Sequence, residues 1–168
     1  PNKFVNSQSN IIQYADGQEI GRLGSENRKI LSLAAIPLNM RHAVLAAEDR
    51  KFYSESAISP TGIARAILNN LGGGSLQGGS TITQQYAKTA FLTQDRTISR
   101  KIKEIVIAIK LGNQLTKDQI LENYLNTIWF GRGAYGVETA AQVYFGRSVD
   151  QLTISQAAVL ASILRSPG

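Results

Sequence analysis

The spacing of apolar residues predicts a mainly helical chain. After Pro37, which marks a helix start, Met40, Val44 and Ala47 recur on one helical face and lead to Glu48. Other helices are predicted by the same spacing, by a proline in the first turn or by Thr-x-x-Gln capping boxes. They begin near Pro60, Ser80, Ile98, Thr116, Val137 and Thr153.

The N-terminal part has a different pattern. Residues 10–23 alternate apolar and polar side chains around Asp16-Gly17, a dipeptide that favours a tight turn. This segment is therefore predicted to form a short β-hairpin, and no internal repeat follows it.

Residues 98–111 show the strongest helical periodicity. Ile98, Ile102, Ile109 and either Ile105 or Val106 are predicted to form the buried stripe of this helix. The charged residues Arg100, Lys101 and Glu104 then lie on its other faces.

Composition narrows the class of protein. The chain has 168 residues, of which 43% are hydrophobic, which is enough for one folded domain with its own core. It has no cysteine and one histidine, so a disulfide framework and thiolate or histidine-rich metal sites are excluded. No apolar run approaches the roughly 20 residues that span a bilayer. The first residue is Pro1, not Met, and the chain ends at Ser166-Pro167-Gly168, so we interpret it as a fragment of a longer protein that can include a membrane anchor or second domain.

The charge balance points to an anionic partner. The formal net charge is +6, which suits nucleic acid, an anionic membrane surface or a phosphorylated substrate. Basic residues are scattered and no nucleic-acid-binding module is recognisable, so nucleic acid is the weakest of the three.

Glu48 and Asp49 form the first group with potential chemistry. Acidic residues at the end of a helix oppose its dipole, which favours cations there. A partly desolvated carboxylate at this point is a usable general base. An ordinary exposed acidic pair at a helix terminus is the alternative.

Two further segments suit an anionic ligand. In residues 78–85, glycines precede Ser80-Thr81, which cap a helix or bind phosphate oxygens, and Gln84 and Gln85 follow with amides. In residues 97–104, Arg100 and Lys101 lie one turn before Glu104. This second group is either a solvated intrahelical ion pair or a clamp for a diphosphate.

Taken in order, these segments resemble the five motifs of glycosyltransferase family 51, the peptidoglycan polymerase domains of class A penicillin-binding proteins and their monofunctional relatives. The resemblance covers about residues 30–168, and its most specific part is the second motif. The motifs match Glu48-Asp49-Arg50-Lys51-Phe52, residues 79–85 with Lys88, residues 100–104, residues 120–141 and residues 144–167.

The resemblance implies a lysozyme-like helical head lobe and a smaller jaw lobe that touches the membrane. An N-terminal segment with the hairpin would occupy about residues 1–30, the jaw about 72–115, and the head the remainder. The implied substrate is lipid II, which an inverting, processive reaction joins into β-1,4-linked glycan with release of undecaprenyl pyrophosphate. The implied location is the outer face of the cell membrane.

The resemblance also implies residue roles. Glu48 would be the general base, and Glu104 would assist departure of the pyrophosphate, directly or through Mg²⁺ or Mn²⁺; no organic cofactor is implied. The other substrate-binding residues would be Asp49, Phe52, Ser80, Thr81, Gln84, Gln85, Lys88, Arg100, Lys101 and Asn126. The growing glycan strand, the membrane surface and a C-terminal transpeptidase domain are the implied partners.

The match departs from the family after Phe52, where Glu55, Ala57 and Ser59 stand in place of the usual His, Gly and Asp. This departure keeps a non-catalytic domain that binds lipid II or a partner protein as one alternative. A lytic muramidase on a similar helical fold is the other, although hydrolysis of glycan needs no diphosphate clamp.

Overall fold

A computed structural model describes residues 10–13, 19–23, 29–54, 80–92 and 97–164 of the chain. The helix predicted to begin near Pro60, the glycine-rich stretch before Ser80 and the three departures from the family pattern lie outside these residues. Side chains are described from Lys29 onward, except that of Ile98.

The described chain is mainly helical, which confirms the predicted fold class. Strands β1 (Asn10–Gln13) and β2 (Glu19–Leu23) pair antiparallel and confirm the predicted hairpin, with an irregularity in the register between Ile12 and Gln13. The helices are α1 (Leu38–Glu48), α2 (Ile82–Phe91), α3 (Ile98–Gln114), α4 (Lys117–Thr127), α5 (Val137–Phe145) and α6 (Ile154–Ile163). The proposed division into a head and a jaw stays a prediction.

Threonine caps fix where several helices begin. Thr81, Thr116 and Thr153 each accept a hydrogen bond from the backbone N–H three residues later, and the glutamine at that position bonds back to the threonine N–H. These capping boxes satisfy N–H groups that the first helical turn leaves unpaired. Both boxes predicted from the sequence, at Thr116 and Thr153, are confirmed.

The main core lies around α4. Helix α1 packs against α6, and α2 packs against both α3 and α4. Tyr124 and Leu125 of α4 are buried among Phe52, Met40 and Phe130. This packing brings the end of α1, the start of α2 and the middle of α4 to one place.

The predicted buried stripe of α3 is confirmed at Ile105 and wrong at Ile102. Ile102 and Val106 are 51% and 46% exposed, whereas Glu104 and Ile105 are 2% and 5% exposed. The buried face turns toward α2, where Ala108 and Leu111 pack with Ala87. Periodicity alone does not show which face of α3 is buried, because two of its faces are apolar. The buried face is the one that carries the ion pairs of Glu104 and the contact between Ala108 and Ala87.

Gly136, just before α5, has no room for a side chain. Its φ is +81°, and an added Cβ would lie 2.7 Å from the backbone oxygen of Asn126. We expect Gly136→Ala to lower the free energy of unfolding by about 3 kcal/mol, from backbone strain and this clash together.

Gly133 is the matched control, because its φ is +74° but an added Cβ would have no atom within 4 Å. Gly133→Ala should cost about 1 kcal/mol, from strain alone. Urea denaturation of both variants measures the difference, and equal losses would contradict the clash at Asn126.

Candidate active site

The two adjacent acids at the end of α1 are both held against α2. Asp49 accepts a hydrogen bond at Oδ2 from the N–H of Ile82, at 3.2 Å. A carboxylate at the start of a helix is favourable, because the first N–H groups there are unpaired and the dipole attracts negative charge. An acid that is poorly placed for its own helix therefore stabilises the next one.

Glu48 is bound by the side chain of Gln85. The amide nitrogen of Gln85 donates to Glu48 Oε2 at 2.8 Å and to the carbonyl oxygen of Ser80 at 3.2 Å. The second carboxylate oxygen, Oε1, is shielded from solvent and has no hydrogen-bond partner in the described part of the chain. One oxygen of Glu48 is thus fixed, and the other makes no hydrogen bond to the described residues.

Tyr124 holds the other end of the same amide. Its hydroxyl donates to Gln85 Oε1 at 3.1 Å, and the tyrosine side chain is fully buried. Burial, with the added charges of Glu48 and Asp49, raises the pKa of Tyr124 far above its ordinary value. This tyrosine lies within the fourth motif but was not among the predicted site residues.

A second group of charges surrounds Glu104 on α3. Arg100 Nη1 lies 3.0 Å from Glu104 Oε2, and the ammonium of Lys101 pairs with Oε1. The glutamate is 2% exposed, whereas the arginine and lysine side chains are 18% and 20% exposed. The Nε of Arg100 is buried without a partner in the described residues. The carboxylate thus lies beneath two cations that still reach the surface.

Ser80 joins the two groups. Its hydroxyl accepts a hydrogen bond from Lys101 Nζ at 3.1 Å, while its carbonyl oxygen accepts from Gln85. A continuous set of polar contacts therefore links the two carboxylates predicted to do chemistry. We call it the Glu48–Glu104 network; its members are Glu48, Gln85, Ser80, Lys101, Glu104 and Arg100.

Three other predicted site residues lie on α2 or at its start. Thr81 and Gln84 form the capping box of the helix, so Thr81 and not Ser80 is its cap. Lys88 is exposed in the last turn of α2, one turn beyond Gln84 and Gln85. Its position leaves the ammonium accessible to a ligand.

Phe52 and Asn126 are occupied by contacts within the fold. Phe52 is buried in the core, with the ammonium of Lys117 4.6 Å from its ring centroid. The Asn126 side chain bonds the N–H of Leu31 at 2.9 Å and its carbonyl at 2.7 Å. Asn126 thus holds the backbone at Leu31 in place and Phe52 fills the core, and their predicted role in substrate binding stays a prediction.

Glu104 does not offer a good metal site in this arrangement. Both of its oxygens face cations, and no group of three or more His, Asp or Glu that could hold a metal occurs among the described residues. A divalent ion at Glu104 would lie beside Lys101 and Arg100 and be repelled by them. The residues present therefore do not fit a metal held by the protein at this point.

Glu138 is a buried carboxylate that the sequence analysis missed. It accepts hydrogen bonds at Oε2 from the N–H of Val149 at 2.9 Å and from Ser148 Oγ at 3.1 Å, and Lys29 Nζ lies 3.3 Å from Oε1. These contacts tie α5 to the segments before α1 and after α5. Its position at the start of a helix gave no signal beyond that of an ordinary first-turn acid.

Among the helices of the described residues, none is long and apolar enough to cross a membrane.

The model of the transglycosylase family matches residues 16–168.

Penicillin-binding protein 1A of Mycobacterium tuberculosis is 46% identical over 173 residues, which cover 99% of this chain and 21% of that protein. Penicillin-binding protein 1A of Escherichia coli is 48% identical over 157 residues, covering 93% and 18%. A crystal structure of penicillin-binding protein 1A from Haemophilus influenzae matches 96% of this chain and 14% of its own, with a TM-score of 0.44 and 24% identity. This chain thus spans about a fifth of the length of the M. tuberculosis and E. coli proteins. The family match and the two sequence relatives agree with the resemblance carried by the five motifs: the chain belongs to the transglycosylase family.

Proposed function

We propose that this chain is a peptidoglycan glycosyltransferase domain that polymerises lipid II into β-1,4-linked glycan. The observation that carries the proposal is the Glu48–Glu104 network. It joins a carboxylate, one oxygen of which has no partner among the described residues, to a pair of cations that reach the surface. A base next to an anion site is what transfer of a sugar from a lipid diphosphate requires.

In the proposed reaction, the 4-hydroxyl oxygen of the acceptor GlcNAc attacks C1 of the donor MurNAc. Its proton passes to Oε1 of Glu48, the oxygen that no described residue occupies. The bond from C1 to the diphosphate oxygen breaks, and the electron pair leaves with the undecaprenyl pyrophosphate. The configuration at C1 is inverted, because attack and departure take place on opposite faces of the sugar.

The cations act on the leaving group. Arg100 and Lys101, each paired to Glu104, would meet the oxygens of the diphosphate, and the exposed Lys88 would add a third charge. Fixed cations stabilise the negative charge that develops on the departing oxygen. Glu104 orients these cations, and no step of this mechanism runs through a metal.

The proposed location and partners are those that a lipid-linked substrate requires. The lipid part of the substrate requires a membrane surface, which we propose to be the extracytoplasmic face of the cell membrane. The growing glycan strand is the second proposed partner, and a transpeptidase domain in a longer chain is the third.

Polymerisation of labelled lipid II in detergent tests the proposal. We expect glycan strands that a muramidase degrades, with one undecaprenyl pyrophosphate released for each disaccharide added. Cleavage of preformed glycan by the chain would instead support the lytic alternative. Binding of lipid II without product would support a non-catalytic domain.

A further inference from the structure

The hydroxyl of Tyr124 makes a contact that the proposed reaction does not use. It is fully buried in the core and donates to Gln85 Oε1 at 3.1 Å. The same amide donates through Nε2 to Glu48 at 2.8 Å. Two successive hydrogen bonds thus connect Tyr124 of α4, through Gln85, to the carboxylate of Glu48 at the end of α1.

We propose that Tyr124 is a positioning residue for Glu48, and that its hydroxyl keeps the amide nitrogen of Gln85 directed at the carboxylate. The kinetic part of this inference rests on the proposed function, because it concerns the base of that reaction. Tyr124 itself would not touch the substrate.

The two ends of the Gln85 amide have different hydrogen-bond partners. If the Gln85 amide turned over, its oxygen would face Glu48 Oε2 and the carbonyl of Ser80, which are both acceptors. A hydroxyl that donates to Oε1 favours the observed orientation and polarises the amide, which makes its N–H groups stronger donors. The phenol stays protonated, and is therefore a donor, at neutral and moderately alkaline pH, because burial raises the pKa of Tyr124.

The consequence concerns the geometry of Glu48. With Oε2 fixed by Gln85, Oε1 is held in one direction, and this is the oxygen that no described residue bonds. A base whose direction varies spends less time in line with the attacking hydroxyl, which lowers kcat more than substrate affinity.

Tyr124→Phe is the decisive variant, because it keeps the buried ring and removes only the hydroxyl. We expect kcat for lipid II polymerisation to fall about tenfold and KM to stay within about twofold. Tyr144→Phe is the matched control, because Tyr144 also donates its hydroxyl within the fold, to the carbonyl of Phe130 at 2.7 Å. Both variants lose one buried hydrogen bond, so their Tm values should fall by similar amounts, but kcat of Tyr144→Phe should be unchanged. Equal kcat in the two variants would overturn the proposal.

A double-mutant cycle tests whether the effect passes through Gln85. In a Gln85→Ala background, Tyr124→Phe should change kcat less than about twofold, since the link to Glu48 is already lost. A further tenfold loss in that background would mean that Tyr124 acts by another route and would overturn the inference.

A spectroscopic measurement separates this inference from the proposed function. Both side-chain amide protons of Gln85 are hydrogen-bonded, so their exchange with solvent, followed by NMR, should be slow in the wild type and at least about tenfold faster in Tyr124→Phe. If the wild type makes no glycan but this change is seen, the positioning role stands and the proposed function fails. If Gln85 exchange is unchanged in Tyr124→Phe, the positioning role fails whatever the activity.

Discussion

Replacing Glu48 with glutamine is expected to lower the rate of lipid II polymerisation by about 10³-fold, because it removes the proton acceptor and little else. The new amide has nearly the same shape, and its oxygen can still accept the hydrogen bond that Gln85 donates at 2.8 Å. The contacts among Gln85, Ser80 and Tyr124 should therefore persist. A neutral amide at the position of Oε1 cannot take the proton of the attacking hydroxyl.

Glu122→Gln is the control for this prediction. Glu122 is a partly buried glutamate that accepts a hydrogen bond from the N–H of Leu33 at 2.6 Å, and a glutamine oxygen can accept the same bond. Initial rates of polymer formation and Tm are measured for the wild type and both variants. If Glu48→Gln keeps more than about a tenth of the wild-type rate while folded, Glu48 is not the general base.

The sequence was sufficient to predict where most described helices begin. Thr116 and Thr153 supply local signals, because a threonine and the glutamine three residues later bond each other's backbone within one turn. Helix α5 begins at Val137, as predicted, and ends at Phe145, where Gly146 has a φ of +63°. Signals of this kind need no knowledge of the rest of the fold.

Partners distant in the sequence were beyond local signals. The sequence indicated that Glu48, Gln85 and Lys101 belong to one site through their resemblance to the family motifs, but not which atoms meet. The contact between Gln85 and Glu48 joins residues 37 positions apart, and that between Tyr124 and Gln85 joins residues 39 apart. Such contacts depend on how α1, α2 and α4 pack.

Local signals also did not show which face of α3 is buried. A carboxylate in an apolar pattern normally indicates an exposed position, because burying a charge is costly unless it is paired. Glu104 is buried because Arg100 and Lys101, on the same helix, supply both partners. The i,i+4 spacing of Arg100 and Glu104 was visible in the sequence, but whether that pair faces water or α2 was not.

The role of Glu104 leads to the second large effect. Glu104→Gln should lower the polymerisation rate about 10²-fold, because Lys101 and Arg100 lose the charge that holds them in place under the leaving group. The same change removes one negative charge beside two cations, so inorganic pyrophosphate should bind several-fold more tightly. A slower enzyme with a higher affinity for the anion is the combined result expected from an orienting carboxylate.

Two measurements distinguish an orienting role of Glu104 from metal binding. They are isothermal titration with pyrophosphate and polymerisation rates at several Mg²⁺ concentrations. Glu138→Gln is the control, because Glu138 is also a buried, lysine-paired carboxylate but belongs to a different cluster with Ser148 and Val149. It should lower Tm without changing pyrophosphate affinity. If Glu104→Gln weakens pyrophosphate binding, or if high Mg²⁺ restores its rate, Glu104 acts through a bound metal. If both its affinity and its rate match the wild type, the two cations hold their positions without Glu104, and the lysine and arginine alone define the anion site.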